Sequence, residues 1–177
     1  MPPRFIMTAF GVDRPGIVAD VTEILYENGC NLKDSSMTLL AGEFTLVLLF
    51  SAPSADVAGQ LSRACRRLEQ EKHVSAFFRP VESLDAVPAG NVTMRTIHVE
   101  GLDHAGIVYK VSRFLADQQI NIVDLKATVK ASPESGTTLY VMDIVVQMPD
   151  GISVEALDRG LSAVADELNV DIILTAV

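Results

Sequence analysis

Gly11-Val12-Asp13-Arg14-Pro15-Gly16-Ile17-Val18 returns as Gly101-Leu102-Asp103-His104-Ala105-Gly106-Ile107-Val108. The offset, 101 − 11 = 90 residues, also pairs Val21 with Val111, Leu25 with Leu115, Asn31 with Asn121 and Asp34 with Asp124. One module is written twice, and an internal repeat fixes the architecture before any single residue is weighed. Surface positions drift after a duplication, so polar residues and glycines that still match draw attention.

Upstream of the repeated turn, residues 5–12 and 92–102 have strand character. Met7, Ala9 and Gly11 match Ile97, Val99 and Gly101 and share one face. The opposite face has diverged: Thr8 and Phe10 stand where copy two has His98 and Glu100. Downstream, Ile17, Val18, Val21, Ile24 and Leu25 form a helical apolar stripe, repeated by Ile107, Val108, Val111, Phe114 and Leu115. Pro15 suits a first turn, where its missing N–H is not needed. Asn28-Gly29 has the chemistry of a helix C-terminus, and Gln118-Gln119 has it less clearly. Strands follow at 31–40 and 121–130, and return strands at 44–50 and 140–147. Copy one turns tightly at Ala41-Gly42. Copy two carries Ala131-Ser132-Pro133-Glu134-Ser135-Gly136, so beyond it the offset becomes 149 − 53 = 96. Second helices are expected at 54–70 and 153–168, and closing strands at 74–80 and 170–177. The expected fold is α+β: two ferredoxin-like βαββαβ domains, each an antiparallel sheet with both helices on one face. Their expected bounds are 1–81 and 92–177. A Pro- and Gly-containing linker spans 82–91.

The 177 residues are 49% hydrophobic with a formal charge of −9. Nucleic-acid binding draws on basic faces that neutralise phosphate. The densest basic spot, Arg63 with Arg66 and Arg67, meets Glu69 and Glu71 at once and reads as a solvated helix face. The return strands carry neither Lys nor Arg, against an RNA-recognition motif. Direct nucleic-acid binding is therefore not expected. Cys30 and Cys65 match Ile120 and Leu161 and read as small buried apolar residues, with no Cys-x-x-Cys loop for a metal. No cofactor and no metal is expected. Neither a secretory h-region nor an apolar run of about 18–20 residues is present, which points to the cytoplasm and away from membranes. His73, His98 and His104 are scattered and not repeated, and no nucleophile–base pair presents itself, so the chain does not read as an enzyme.

The repeated strand-to-helix turn supports two readings. Free N–H groups at a helix start attract a carboxylate, and Gly16 or Gly106 allows close approach. Asp13 or Asp103 would then accept hydrogen bonds from an ammonium group, and Asn31 or Asn121 would add donor and acceptor capacity. Together they suit a free α-amino acid. In the plainer reading the aspartates cap their own helices, the glycines permit packing and the asparagines shape turns.

The Gly11–Val18 turn, with Asn28-Gly29-Cys30-Asn31-Leu32 after it, resembles an ACT domain, as does the second copy. Two such domains with nothing attached resemble the glycine cleavage system transcriptional repressor family. The resemblance implies regulatory modules that bind amino acids and pair side by side, with ligands between a first strand–helix turn and a neighbouring domain. It also implies a homodimer and a protein partner such as a transcriptional activator. The candidate ligand-binding set is Gly11, Asp13, Gly16, Ile17 and Asn31, with Gly101, Asp103, Gly106, Ile107 and Asn121 in copy two. In amino-acid-binding relatives the Asp13 position is often Asn and the Gly11 position can be His; here both copies keep Asp and Gly. Ala105 replaces Pro15 and restores one N–H, which makes the two turns unequal. The alternative expectation is an assembly module that binds a partner protein and no small ligand.

Overall fold

A computed structural model describes residues 2–81, 92–131 and 137–176. The chain divides into two compact units, Met1–Val87 and Pro88–Val177. The linker expected at 82–91 and most of the copy-two hairpin insertion lie outside the described residues.

The first unit runs β1 (Arg4–Val12), α1 (Ile17–Glu27), β2 (Asn31–Leu40), β3 (Glu43–Ser51), α2 (Ala58–Lys72) and β4 (Ser75–Pro80). The second repeats it as β5 (Thr93–Leu102), α3 (Ile107–Asp117), β6 (Asn121–Ala131), β7 (Thr138–Met148), α4 (Val154–Leu168) and β8 (Val170–Ala176). Sheet orders are β2-β3-β1-β4 and β6-β7-β5-β8, all antiparallel. The expected βαββαβ unit is therefore present twice. α2 begins later than its apolar pattern suggests, because Ala55–Val57 forms a separate 3-10 turn. α4 begins as expected: Ser153 caps it by accepting the Ala156 N–H at 3.0 Å.

Alternation on β1 and β3 turns Phe5, Met7, Ala9, Phe44, Leu46 and Leu48 toward the helices, where all are buried. They meet the α1 stripe and the inner face of α2 in one core. The second core is built likewise from Ile97, Val99, Met142 and Ile144 against α3 and α4. Each fully buried Leu or Phe contributes about 1.5–3 kcal/mol by leaving water. Cys65 is buried and Cys30 half-buried against the first core.

Both α1 and α3 end in Schellman motifs. After α1 the Cys30 N–H reaches the Leu25 carbonyl at 2.8 Å and Gly29 N–H the Tyr26 carbonyl, with Gly29 at φ 64°. After α3 the Ile120 and Gln119 N–H groups make the same two bonds to Leu115 and Ala116, with Gln119 at φ 57°. The less clear terminus thus closes identically, with a side chain in the left-handed region.

β2 and β6 are edge strands. Every β2 residue is exposed, and Met37, Leu39, Leu125 and Val129 project beyond the helices on the helix side. A bulge interrupts the two strands at matching places, between Leu32 and Asp34 and between Ile122 and Asp124. No helix among the described residues is long and apolar enough to cross a membrane.

Candidate functional site

At the end of β1 the chain leaves the sheet with the Asp13 N–H donating to the Gly42 carbonyl at 2.9 Å. The N-cap residue of α1 is Gly16, at φ 87°, and no side chain caps the helix. In the second unit Asp103 N–H bonds the Thr138 carbonyl at 3.3 Å, and Gly106, at φ 105°, occupies the uncapped N-cap position. The aspartates sit three residues upstream of the caps, exposed, so the geometry removes the reading in which they cap their own helices. A Cβ on Gly106 would meet no atom within 4 Å, and one on Gly16 only the Arg14 guanidinium at 4.0 Å. These two glycines serve a left-handed turn, not packing.

The other candidates separate. A Cβ on Gly11 would stand 3.1 Å from the His73 carbonyl oxygen, and one on Gly101 3.2 Å from Val170 Cα. Gly11 is crowded by the backbone of His73 and Val74 just ahead of β4, and Gly101 by Val170 at the start of β8, so close packing accounts for both glycines. The side chains of Ile17 and Ile107 are 2% exposed and belong to the cores, so a ligand would meet only their backbone. The Ile17 N–H bonds the Arg14 carbonyl at 3.3 Å.

Asn31 and Asn121 are exposed first residues of the edge strands. Asn31 pairs across to Ser51, which pairs with Arg4, whereas the turn follows Val12, which pairs with Glu43 and so with Leu40. Turn and asparagine therefore lie at opposite ends of the sheet, separated by the 11-residue α1, about 16 Å at 1.5 Å per residue. One unit alone does not bring its own Asp13, Gly16 and Asn31 together; the same holds for Asp103, Gly106 and Asn121.

Charges around the two turns differ. Arg14 reaches over the helix start to Asp20 at 2.5 Å, and Lys72 stands 3.7 Å from the same carboxylate. The Arg14 hydrogen bond, with Lys72 assisting, holds the Asp20 carboxyl below its ordinary value against a smaller effect of burial. In copy two the Asp20 position is Lys110, which pairs with Glu167, and the Arg14 position is His104. The His104 Nε2 lies 2.9 Å from the Leu168 carbonyl and its Nδ1 3.1 Å from that of Ala105. Tyr140 stands where copy one has Phe44, opposite Gly101; burial and then the Asp103 charge push its phenol up. Sequence reasoning missed Tyr140 and left the histidines unpartnered. That second reading is corrected for His98 too, whose Nδ1 lies 2.7 Å from Asp143 with Glu100 3.6 Å from Nε2. His98 and Asp143 come from strands far apart in sequence, and only the folded register of β5 against β7 brings them together.

The ACT-domain family profile matches residues 4–79. A UPF0237 protein of Methanopyrus kandleri is 38% identical over 69 residues, which cover 38% of this chain and 77% of that one. The glycine cleavage system transcriptional repressor of Escherichia coli is 26% identical over 171 residues, covering 93% of this chain and 85% of its own. Among solved structures, an unknown protein from Galdieria sulphuraria superposes with a TM-score of 0.80 at 29% identity, covering 100% of this chain and 99% of that one. A putative glycine cleavage system transcriptional repressor shares the fold with a TM-score of 0.70 at 24% identity, over 100% and 98% of the two chains. Repeat, doubled βαββαβ topology and these likenesses agree: the chain belongs to the ACT-domain family, as two ACT domains in tandem.

Proposed function

We propose that this is a non-catalytic regulatory protein that senses a small amino acid through its ACT domains and acts through protein contacts. The observation that carries the reading is the uncapped helix start. Gly16 and Gly106 hold the turn open, the first-turn N–H groups have no side-chain acceptor, and an exposed Asp13 or Asp103 stands just upstream. A carboxylate suits the N–H groups and helix dipole, and an ammonium group suits the aspartate. The opposite-end placement of Asn31 adds a condition. A neighbouring unit from a second copy, with its edge strand antiparallel to β2, would carry its Asn31 toward this turn and cover Met37 and Leu39 in the same step. A homodimer with ligand at the seam follows, and binding would strengthen the pairing.

The likeness to the Escherichia coli repressor makes glycine the first ligand to try and a transcriptional activator the first partner to try. The test is a thermal-shift screen of the twenty amino acids. Binding to the folded state alone stabilises by RT ln(1 + [L]/Kd), about 2.7 kcal/mol at a hundredfold excess over Kd. The shift should disappear in Asp13→Ala with Asp103→Ala, which remove no cap. Absence of a shift with every amino acid at millimolar concentration overturns the ligand half. A ligand-free assembly module is the second reading, favoured by Gly11 and Gly101, whose packing role needs no ligand.

A further inference from the structure

The face of the first sheet turned away from its helices has an order that its neighbour lacks. Three rows cross it in register: Asp34-Leu49-Ile6-Arg79, then Ser36-Val47-Thr8-Phe77, then Thr38-Thr45-Phe10-Ser75. Its middle is apolar. Phe77 is 60% and Phe10 46% exposed, and their rings meet edge to face at 6.5 Å. A depression of about 310 Å³ crosses this face, with Ile6, Val47 and Leu49 as its floor, Asp34 and Ser36 at its β2 rim and Arg79 and Val81 at its β4 rim. The two charges of these rows stand at opposite ends of one row, about 14 Å apart by three strand spacings. Neither makes an ion pair among the described residues; Asp34 accepts only the Ser35 N–H, at 2.8 Å.

We propose that this face is a self-complementary interface, on which a second copy of the chain docks through the same face. A two-fold axis parallel to the strands, between β3 and β1, exchanges β2 with β4 and leaves each row in place. Asp34 of one copy then faces Arg79 of the other, twice. Phe77 of each copy falls over Ser36 and Val47, at the depression. Leu49 meets Ile6. Sheets packed face to face lie about 10 Å apart with strands within about 30° of alignment, which a long Arg opposite a short Asp suits. An isologous contact of this kind closes as a dimer, and its parts are those enriched where interfaces hold tightest, an aromatic in a hollow and a buried Arg. The row of the second sheet equivalent to Asp34-Leu49-Ile6-Arg79 is Asp124-Val145-Thr96-Thr175, so the edge-to-edge acid–base exchange is not available there. The proposal is independent of the edge pairing described above: a chain using both contacts would form larger closed assemblies.

The test is sedimentation equilibrium of the full-length chain, without amino acids, over a concentration series. Wild type should self-associate, more weakly in high salt. Asp34→Arg and Arg79→Asp should each weaken the dissociation constant by about tenfold or more, because each puts two like-charge pairs in the interface. The double variant D34R/R79D should restore association. All three positions used are on the surface, so far-ultraviolet circular dichroism should match wild type; Phe77→Ser, with no charge change, should also dissociate the pair. A wild-type monomer at every concentration overturns the proposal. So do single variants that associate like wild type, or a double variant no better than the singles. The amino-acid thermal shift is read separately and stands or falls without this result.

Discussion

The two units share strand order, register and even the position of a bulge, yet differ where they meet solvent and where their helices meet each other. In the first, α1 and α2 place Ile24 and Ala64 in the positions that Phe114 and Gly160 hold in the second. A Cβ on Gly160 would overlap the Phe114 ring. One copy packs a medium and a small side chain, the other a large side chain against none. On the open face, Thr8 and Val47 of the first unit become His98 and Asp143 of the second, and Phe10 becomes Glu100. A duplicated fold tolerates exchange at both kinds of site, under different rules. The helix contact must conserve volume, because interiors are close-packed. The open face is free to choose between apolar and charged chemistry, because the cores lie on the other side.

The largest expected effect tests volume conservation. Gly160→Ala should destabilise the second unit by about 1–3 kcal/mol through overpacking. Adding Phe114→Ile recreates the pairing of the first unit and should recover most of the loss, measured by urea unfolding. Failure of the second change to help would mean that the helix spacings of the two units differ, not merely their side chains.

A smaller effect distinguishes the two Schellman motifs. Gln119→Gly should stabilise by up to about 1 kcal/mol by removing a side chain from φ 57°, and Gly29→Gln should cost about as much. The same logic applies to Ala41, at φ 52° in the β2–β3 hairpin, where Asn should help by several tenths of a kcal/mol. Equal stabilities before and after these changes, in a denaturant titration, would contradict the backbone geometry.

The smallest effect concerns the charged face. The hydrogen bond that the His98 ring donates to Asp143, with help from Glu100, pushes the imidazole above its ordinary value of 6.5 against the opposing effect of burial. Lys126, opposite Asp143 on β6, offsets some of that negative charge. A raised folded value means the stabilisation is fully present below pH 6.5 and is lost as pH rises through the folded value. It is modest, because 36% of the side chain is exposed and water screens it. His98→Thr, which restores the residue of copy one, should flatten that part of the stability–pH curve. An unchanged curve would remove His98 from the account.

Much of this was legible in the chain. The repeat of Gly11–Val18 at Gly101–Val108 carried the topology, because periodicity decides strand or helix and a duplicated pattern decides it twice. The divergence of Thr8 and Phe10 from His98 and Glu100 already marked the open face. The β1–α1 turn was legible as special without its mechanics. Asp, three residues before a glycine and just ahead of an apolar stripe, has the composition of a cap. Only the left-handed φ of Gly16 shows that the helix starts after the aspartate, which leaves that carboxylate exposed. Ile17 and Ile107 matched as well as the rest, because core packing preserves residues as firmly as binding does.

By itself the sequence determined the doubled α+β module, its apolar faces and its family, since these depend on local spacing that the chain carries in order. The tertiary structure decided which residues share space. Asn31 sits at the far end of the sheet from Gly16 because α1 intervenes, and Asp34 shares a row with Arg79 because β2 and β4 are the two edges of one sheet. Such neighbours are set by strand order, and strand order is a property of the folded sheet that sequence separation does not express.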